Sequence, residues 1–225
     1  MKVSVIIPAL NEAESIGAVV QSMPWSEIAE CIVVDNGSTD ATAEIARAAG
    51  ARVIAAPRGY GAAMSAGVKA AVGEVLVFLD GDGADPVEAM AQIVGPVMRG
   101  EADLVLASRI SGKREKGSMQ ASQVFAGHLI GWIVRVLYGF RYTDMCAFRA
   151  IKRETVERTR MTEMTFGWNL EMQIKAVKMG LRVVEVPVDY RNRIGGVSKV
   201  SGYLAASVKA AWRILGVFGR VRSKG

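Results

Sequence analysis

Two carboxylates stand two residues apart at Asp80-Gly81-Asp82, directly after the apolar stretch of residues 74–79. Side by side they repel unless a cation lies between them. A hard divalent ion, Mg2+ or Mn2+, takes carboxylate oxygens and keeps positions for phosphate oxygens. Gly81 and Gly83 would let a bulky ligand approach the backbone. The same residue types also build tight turns, so a metal site and a plain turn both stand at this point. A calcium loop does not fit, because its later ligand positions and closing Glu are missing. The segment Arg193-Ile-Gly-Gly-Val-Ser198-Lys199 sets two cations around a glycine-rich loop with a hydroxyl. Such a loop can close on a pyrophosphate, Arg as a bidentate donor and Lys as a point charge, or be a solvated basic loop. Gly59-Tyr60-Gly61 before a helical stretch has the look of a dinucleotide turn. Its third glycine position holds Met64, however, and it follows the third strand, not the first, which argues against a nicotinamide enzyme. Two cysteines and one histidine in unrelated contexts exclude a Cys/His zinc site; Cys31, Cys146 and His128 read as structural.

The elements that would carry these groups alternate. Strands are expected over residues 3–7, 31–35, 52–56, 74–79 and 104–108, and helices over 41–49 and 62–72. A helix start is expected at residues 11–14, with Asn11 as N-cap. Another is expected at Asp85-Pro86-Val87-Glu88, with Asp85 as cap and Pro86 at the first helical position. Continuous apolar strands between helices imply an α/β fold, a mostly parallel sheet covered on both faces. Ligands then bind beyond the carboxyl ends of the strands. Those ends read Pro8-Ala9-Leu10-Asn11-Glu12, Asp35-Asn36, Asp80-Gly81-Asp82 and Ser108-Arg109, a rim of acids with one arginine. Further on, residues 124–138 read as a helix that is apolar nearly all round. Residues 145–151 and 183–187 read as strands, 168–179 as a helix, and 203–221 as a basic amphipathic helix. Residues 113–116 read as a mobile surface loop.

The 225 residues suit one compact domain. Residues 1–200 would form it and 201–225 a basic helix and tail. The first hundred residues carry 6 basic and 12 acidic groups, the last 36 carry 8 basic and none acidic. A tail of that kind suits an anionic membrane surface or a phosphorylated substrate. Nucleic acid is not expected, because the tail lacks interleaved surface aromatics. The opening residues hold no targeting core, and residues 124–140 include His128 and Arg135, which a spanning helix would not. A cytoplasmic protein with peripheral contact at the inner membrane face is expected, and homo-oligomerisation is left open.

Val3-Ser-Val-Ile-Ile-Pro-Ala-Leu-Asn-Glu12, Val33-Val-Asp-Asn-Gly-Ser-Thr-Asp40, Phe78-Leu-Asp-Gly-Asp82, Ala107-Ser-Arg109, Phe148-Arg149 and Arg193 to Lys199 occur in one order. Together they resemble the family-2 glycosyltransferases of GT-A fold, closest to the dolichyl-phosphate mannose synthase-like branch. The resemblance covers roughly residues 3–200. It implies that Pro8, Leu10, Asn11, Glu12, Val33 and Asp35 hold the nucleoside, and that Asp80, Gly81 and Asp82 meet the ribose and the metal bridging the diphosphate. It implies phosphate contacts from Arg109, Arg193 and Lys199, and acceptor contacts from Arg109, Arg149 and Ser198. Where the branch has a third metal ligand this chain has Ala84, with Asp85 beside it.

The implied reaction moves a hexose from a UDP- or GDP-linked donor, with inversion, to a polyprenyl phosphate at the membrane face. Cations would neutralise the leaving diphosphate. An anionic lipid acceptor needs no base; a hydroxyl acceptor, soluble or lipid, would need one, and Asp144 and Glu171 are the candidates. Asp144 is equally a turn residue and Glu171 a partner of Lys175 one helical turn on. A non-catalytic nucleotide-sugar-binding subunit is the reading from another class, and the intact Asp80, Asp82, Arg193 and Lys199 speak against it.

Overall fold

A computed structural model describes residues 1–195. Seven strands form one sheet: β1 Val3–Ala9, β2 Glu30–Asp35, β3 Arg52–Ala55, β4 Val75–Phe78, β5 Leu104–Ser108, β6 Arg149–Lys152 and β7 Val183–Pro187. Their order across the sheet is β3-β2-β1-β4-β6-β5-β7. Every neighbouring pair is parallel except those made by β6, which runs against both β4 and β5. The central strands are buried on both faces, as their unbroken apolar runs require. Side chains alternate between two cores. Val5, Ile7 and Val33 pack on one face with α1 Ile16–Gln21, α2 Thr42–Ala48 and α4 Met90–Met98. Ile6, Ile32 and Val34 pack on the other with α3 Tyr60–Ala70, α5 Ala121–Tyr138, α6 Arg153–Thr159 and α7 Trp168–Lys178.

Chain order reverses between β1 and β4, which are neighbours in the sheet although β2 and β3 intervene in sequence. Their carboxyl ends therefore flank a crevice, the place where open sheets bind ligands. The inverted β6 adds its first residue to this rim: Arg149 pairs with Phe78 on one side and Leu106 on the other.

Several local expectations are corrected. Asn11 does not cap a helix. It takes a left-handed conformation at φ 51°, its side-chain Oδ1 accepts from the Thr39 N–H at 2.8 Å, and α1 starts only at Ile16. Asp85 does not cap one either; a 3-10 turn, Val87–Ala89, precedes α4, and its carboxylate turns inward. The glycines of the acid loop serve packing. A Cβ on Gly81 would meet Ile16 and Ile7, and one on Gly83 would run into Ile194. Residues 113–116 are tied to the segment after β7, with a bridge from Arg114 to Tyr190 and Glu115 accepting from Asn192 at 2.8 Å. Helix α6, Arg-Glu-Thr-Val-Glu-Arg-Thr, lacks the apolar period that marks a helix and was not expected. Helix α5 is apolar all round but not buried all round: Phe125 is 68% exposed, Trp132 58% and Val136 61%. Among the described residues no helix is long and apolar enough to cross a membrane. Ser198, Lys199 and the expected helix at 203–221 lie outside the described residues.

Gly67 shows how closely α3 rides on the sheet, since a Cβ there would strike Ile6 and press on Val34 at 3.3 Å. Alanine in a helix interior ordinarily gains up to about 1 kcal/mol over glycine. Overpacking at this site costs about 1–3 kcal/mol, so Gly67→Ala should lower the melting temperature of the purified protein. A raised melting temperature would show that α3 has room to move.

Candidate active site

The loop from Asp80 to Asp85 holds three carboxylates in six residues at the end of β4. Asp82 and Asp85 are buried. Asp85 accepts the Asp80 N–H at 3.1 Å and the Cys146 thiol at 3.7 Å, so it braces the loop from below. Asp82 Oδ1 caps the turn by accepting the Ala84 N–H at 3.0 Å. Its Oδ2 meets Arg193 Nη2 at 2.9 Å. Asp80 Oδ1 accepts from the Tyr60 hydroxyl at 3.4 Å. Burial, then the charges of Asp85 and Asp82, push the Asp80 carboxyl up to about 8. Burial pushes Asp85 up as well. Like charges this close call for a cation.

Two features test a divalent ion here. No three acid, His or Cys side chains come together as a complete metal cage among the described residues. Mg2+-type sites seldom need one, since one or two carboxylates plus substrate phosphates suffice. The donor set is hard oxygen, and the Arg193 side chain on Asp82 Oδ2 occupies the position an ion would take once that side chain turned aside. Asp80 and Asp82 therefore fit such an ion, whereas the inward-turned Asp85 does not supply the third ligand.

The residues expected to hold the nucleoside lie around the ends of β1 and β2. Pro8 pairs with Val34 in the sheet. Leu10 is half-buried, Asn11 is exposed, and the Glu12 N–H donates to Thr42 Oγ1 at 2.8 Å. Asp35 Oδ1 accepts the Ser38 N–H at 3.0 Å and shapes the β2 loop. Val33 is an exception. It is fully buried within one core and cannot touch a donor.

On the far side, Arg109 and Asp144 form a closed fork. Nε and Nη2 of Arg109 each donate to Asp144 at 2.8 Å, and the Arg109 N–H adds a third bond at 2.9 Å. Arg109 also stacks over the Tyr190 ring at 5.0 Å. Burial alone would raise the Asp144 carboxyl, but the Arg109 bonds hold it below the ordinary range. Glu171 is likewise engaged. Lys175 Nζ lies 2.8 Å away, and the N–H groups of Thr162 and Glu163 donate to it at 3.0 and 2.8 Å. Burial would raise it, yet these partners keep it low. Neither group is placed as a free general base. Arg149 is not an acceptor ligand either: it is fully buried, and its guanidinium donates to the carbonyls of Cys146, Ala147 and Asn169. It sits as a fixed positive charge beneath Asp80.

After β7 the chain straps across this rim. The Arg191 N–H donates to the Ala84 carbonyl at 3.3 Å, and the Arg191 side chain pairs with Glu88. The Ile194 N–H donates to the Asp82 carbonyl at 2.9 Å. Sequence reasoning missed Tyr190, Asn169 and Tyr60. Only Tyr60 carried a signal, the flanking glycines, which suggested a different ligand.

Comparisons with known proteins place the chain in a family. The description Glycosyl transferase family 2 matches residues 4–178. An uncharacterised glycosyltransferase of Mycobacterium tuberculosis is 35% identical over 219 residues, covering 95% of this chain and 97% of that one. An undecaprenyl-phosphate mannosyltransferase of Micrococcus luteus is 30% identical, covering 90% and 88%. Among solved structures, glucosyl-3-phosphoglycerate synthase from M. tuberculosis, with phosphoglyceric acid, superposes with a TM-score of 0.77 at 26% identity, covering 97% of this chain and 80% of that one. The same synthase has been crystallised with Mn2+, UDP-glucose and phosphoglyceric acid.

The crowded acids set a pH dependence. A carboxyl whose folded pKa lies above its unfolded value costs stability as it ionises, so the loss grows from about pH 4 toward about pH 8. With EDTA present, the melting temperature should fall between pH 6 and pH 8.5. Asp80→Asn should remove most of that fall and raise the midpoint at pH 8.5 by roughly 2–4 °C or more. Equal slopes in both proteins would contradict the electrostatic picture.

Proposed function

The chain belongs to glycosyl transferase family 2, and from that premise we propose that it is an inverting, metal-dependent hexosyltransferase. Its donor is a nucleotide-diphosphate sugar, and its acceptor is a polyprenyl phosphate met at a membrane surface. The observation that carries the acceptor class is the engagement of both candidate bases, Asp144 by Arg109 and Glu171 by Lys175. A hydroxyl acceptor would need one of them free to take its proton. A phosphate oxygen is already anionic. It attacks the anomeric carbon, the carbon–oxygen bond to the diphosphate breaks, and the nucleoside diphosphate leaves with no proton to remove.

A bound Mg2+ or Mn2+ held by Asp80 and Asp82 would supply neutralising charge for the leaving diphosphate. The chain's own residues do the rest. Pro8, Leu10, Glu12 and Asp35 border the nucleoside crevice. Arg193, now on Asp82, is the guanidinium nearest the acids and can turn its fork to a phosphate. Arg109, fixed in orientation by Asp144 and Tyr190, presents positive charge at the end of β5, where an acceptor phosphate would approach.

The lipid part of the reading draws on α5. Phe125, Leu129, Trp132 and Val136 recur at helical spacing and are exposed together. The opposite side of the helix packs on the Arg109–Asp144 corner, where a Cβ on Gly127 would meet Ile110 at 3.1 Å. An open groove of about 560 Å³, lined in part by Arg114, Met119, Ala121 and Val124, lies at the start of α5. An exposed apolar stripe on a helix whose other side packs near Arg109 suits a prenyl chain, and the undecaprenyl-phosphate mannosyltransferase relative supports the same class. The phosphoglyceric acid of the solved synthase complex supports a second reading, a small soluble phosphorylated acceptor.

An acceptor comparison decides between them. Full-length protein with Mn2+ is incubated with UDP-glucose or GDP-mannose, and with undecaprenyl phosphate in vesicles or 3-phosphoglycerate. Sugar should pass to the lipid, and paired Phe125→Ser and Trp132→Ser changes should lower that transfer several-fold. Asp82→Ala should lower it by about 100-fold or more. Transfer only to 3-phosphoglycerate would overturn the lipid assignment, and full turnover in Asp82→Ala would overturn the metal role.

A further inference from the structure

The Gly59-Tyr60-Gly61 turn has no part in the proposed function so far, yet it is among the most constrained segments near the acids. The Gly59 N–H donates to Asn36 Oδ1 at 2.9 Å, and the Ala62 N–H donates to the Met164 carbonyl at 3.0 Å. A side chain on Gly59 or Gly61 would collide with the carbonyls of Met164 and Glu163. Gly59 also sits at φ 139°, a conformation that favours glycine. The turn therefore has one seat, the 163–164 backbone. Glu171 holds that backbone in place by accepting the N–H groups of Thr162 and Glu163.

Tyr60 leaves this seat with its ring stacked on Phe166, centroids 6.4 Å apart. Among the described residues its hydroxyl touches two groups. Asn169 Nδ2 lies 3.3 Å away and can only donate. The phenol must then give its single hydrogen to the other partner, Asp80 Oδ1, at 3.4 Å. In this orientation Asn169 Oδ1 is buried and has no hydrogen-bond partner among the described residues.

We infer that Tyr60, oriented by Asn169, is a positioning residue that fixes the Asp80 carboxylate for the cation and the nucleotide. With Oδ1 engaged by the phenol, Asp80 offers Oδ2 to a ligand. The same chain of contacts gives Glu171 its work: it acts on the site through the 162–164 backbone and the turn seated on it. The inference rests on the reading of Asp80 and Asp82 as the donor and metal site.

The test is calorimetric titration of Mn2+ with UDP, and of Mn2+ with GDP, into the full-length protein, with melting temperatures recorded alongside. Tyr60→Phe keeps the ring and loses only the hydroxyl. It should bind the preferred nucleotide with Mn2+ about tenfold more weakly. Asn169→Ala keeps the phenol but loses its orienting donor, and should weaken binding a few-fold. Asp80→Asn sets the baseline, and Tyr60→Phe added to it should cause little further loss, because the hydroxyl acts only through Asp80. A packing role would instead lower the melting temperature and weaken binding equally in both backgrounds. Wild-type affinity in Tyr60→Phe, or full additivity with Asp80→Asn, would overturn the inference while leaving the site intact. Wild-type protein that binds neither nucleotide with Mn2+ would overturn the site reading and this inference with it. Should Tyr60→Phe fail to fold, unchanged affinity in Asn169→Ala would overturn the inference on its own.

Discussion

Negative charge crowded into a six-residue loop is the constraint around which this molecule is built. Asp80, Asp82 and Asp85 share the carboxyl end of a fully buried strand; Asp82 and Asp85 are buried and Asp80 is half-buried, so water relieves their repulsion only in part. The surrounding chain answers with positive charge at three distances. Arg193 lies on Asp82 directly, Arg149 is fixed beneath Asp80, and Arg109 faces the acids from the end of β5. None of the three cancels the cluster, and Asp80 still holds its proton far more tightly than an ordinary aspartate. A site left short of positive charge in this way is suited to a cation that arrives with its substrate.

The inverted strand explains how the arginine beneath the acids comes to be there. Were β6 parallel to its neighbours, its first residue would lie at the opposite edge of the sheet. Running antiparallel between β4 and β5, it delivers Arg149 beside Phe78, two residues before Asp80. The same inversion brings the Cys146 thiol under Asp85 and Asp144 against Arg109. The Arg109–Asp144 fork and the acid loop are thus held by one short segment, residues 144–149. Small shifts of β6 would be felt on both sides of the crevice.

The layered α/β fold was legible in the sequence because its signals are local. Five apolar runs and the helices between them follow from side-chain period alone, and the strands at 104–108 and 183–187 carry the expected bounds. The acid rim was legible too, since strand ends in such a sheet face one way. What the sequence hid depends on contacts between distant segments. Val33 has the composition of a site residue's neighbour but alternates into the core. Arg149 looks like a phosphate ligand until β6 is seen to bury it. Asp85 has the spacing of a helix cap, yet the inward bond to the Asp80 N–H wins. Tyr60 could be noticed beside its glycines, but the partner that gives it meaning is twenty residues away.

Everything proposed for this site requires the acid loop to hold a divalent cation together with the donor's diphosphate. Anomalous diffraction from a crystal of the protein soaked with Mn2+ and a nucleotide-diphosphate sugar tests it most directly. A manganese peak is expected in coordination contact with a carboxylate oxygen of Asp80 or Asp82 and with the diphosphate. A well-defined nucleotide whose manganese lies away from both aspartates, or that binds with no manganese near them, would contradict it.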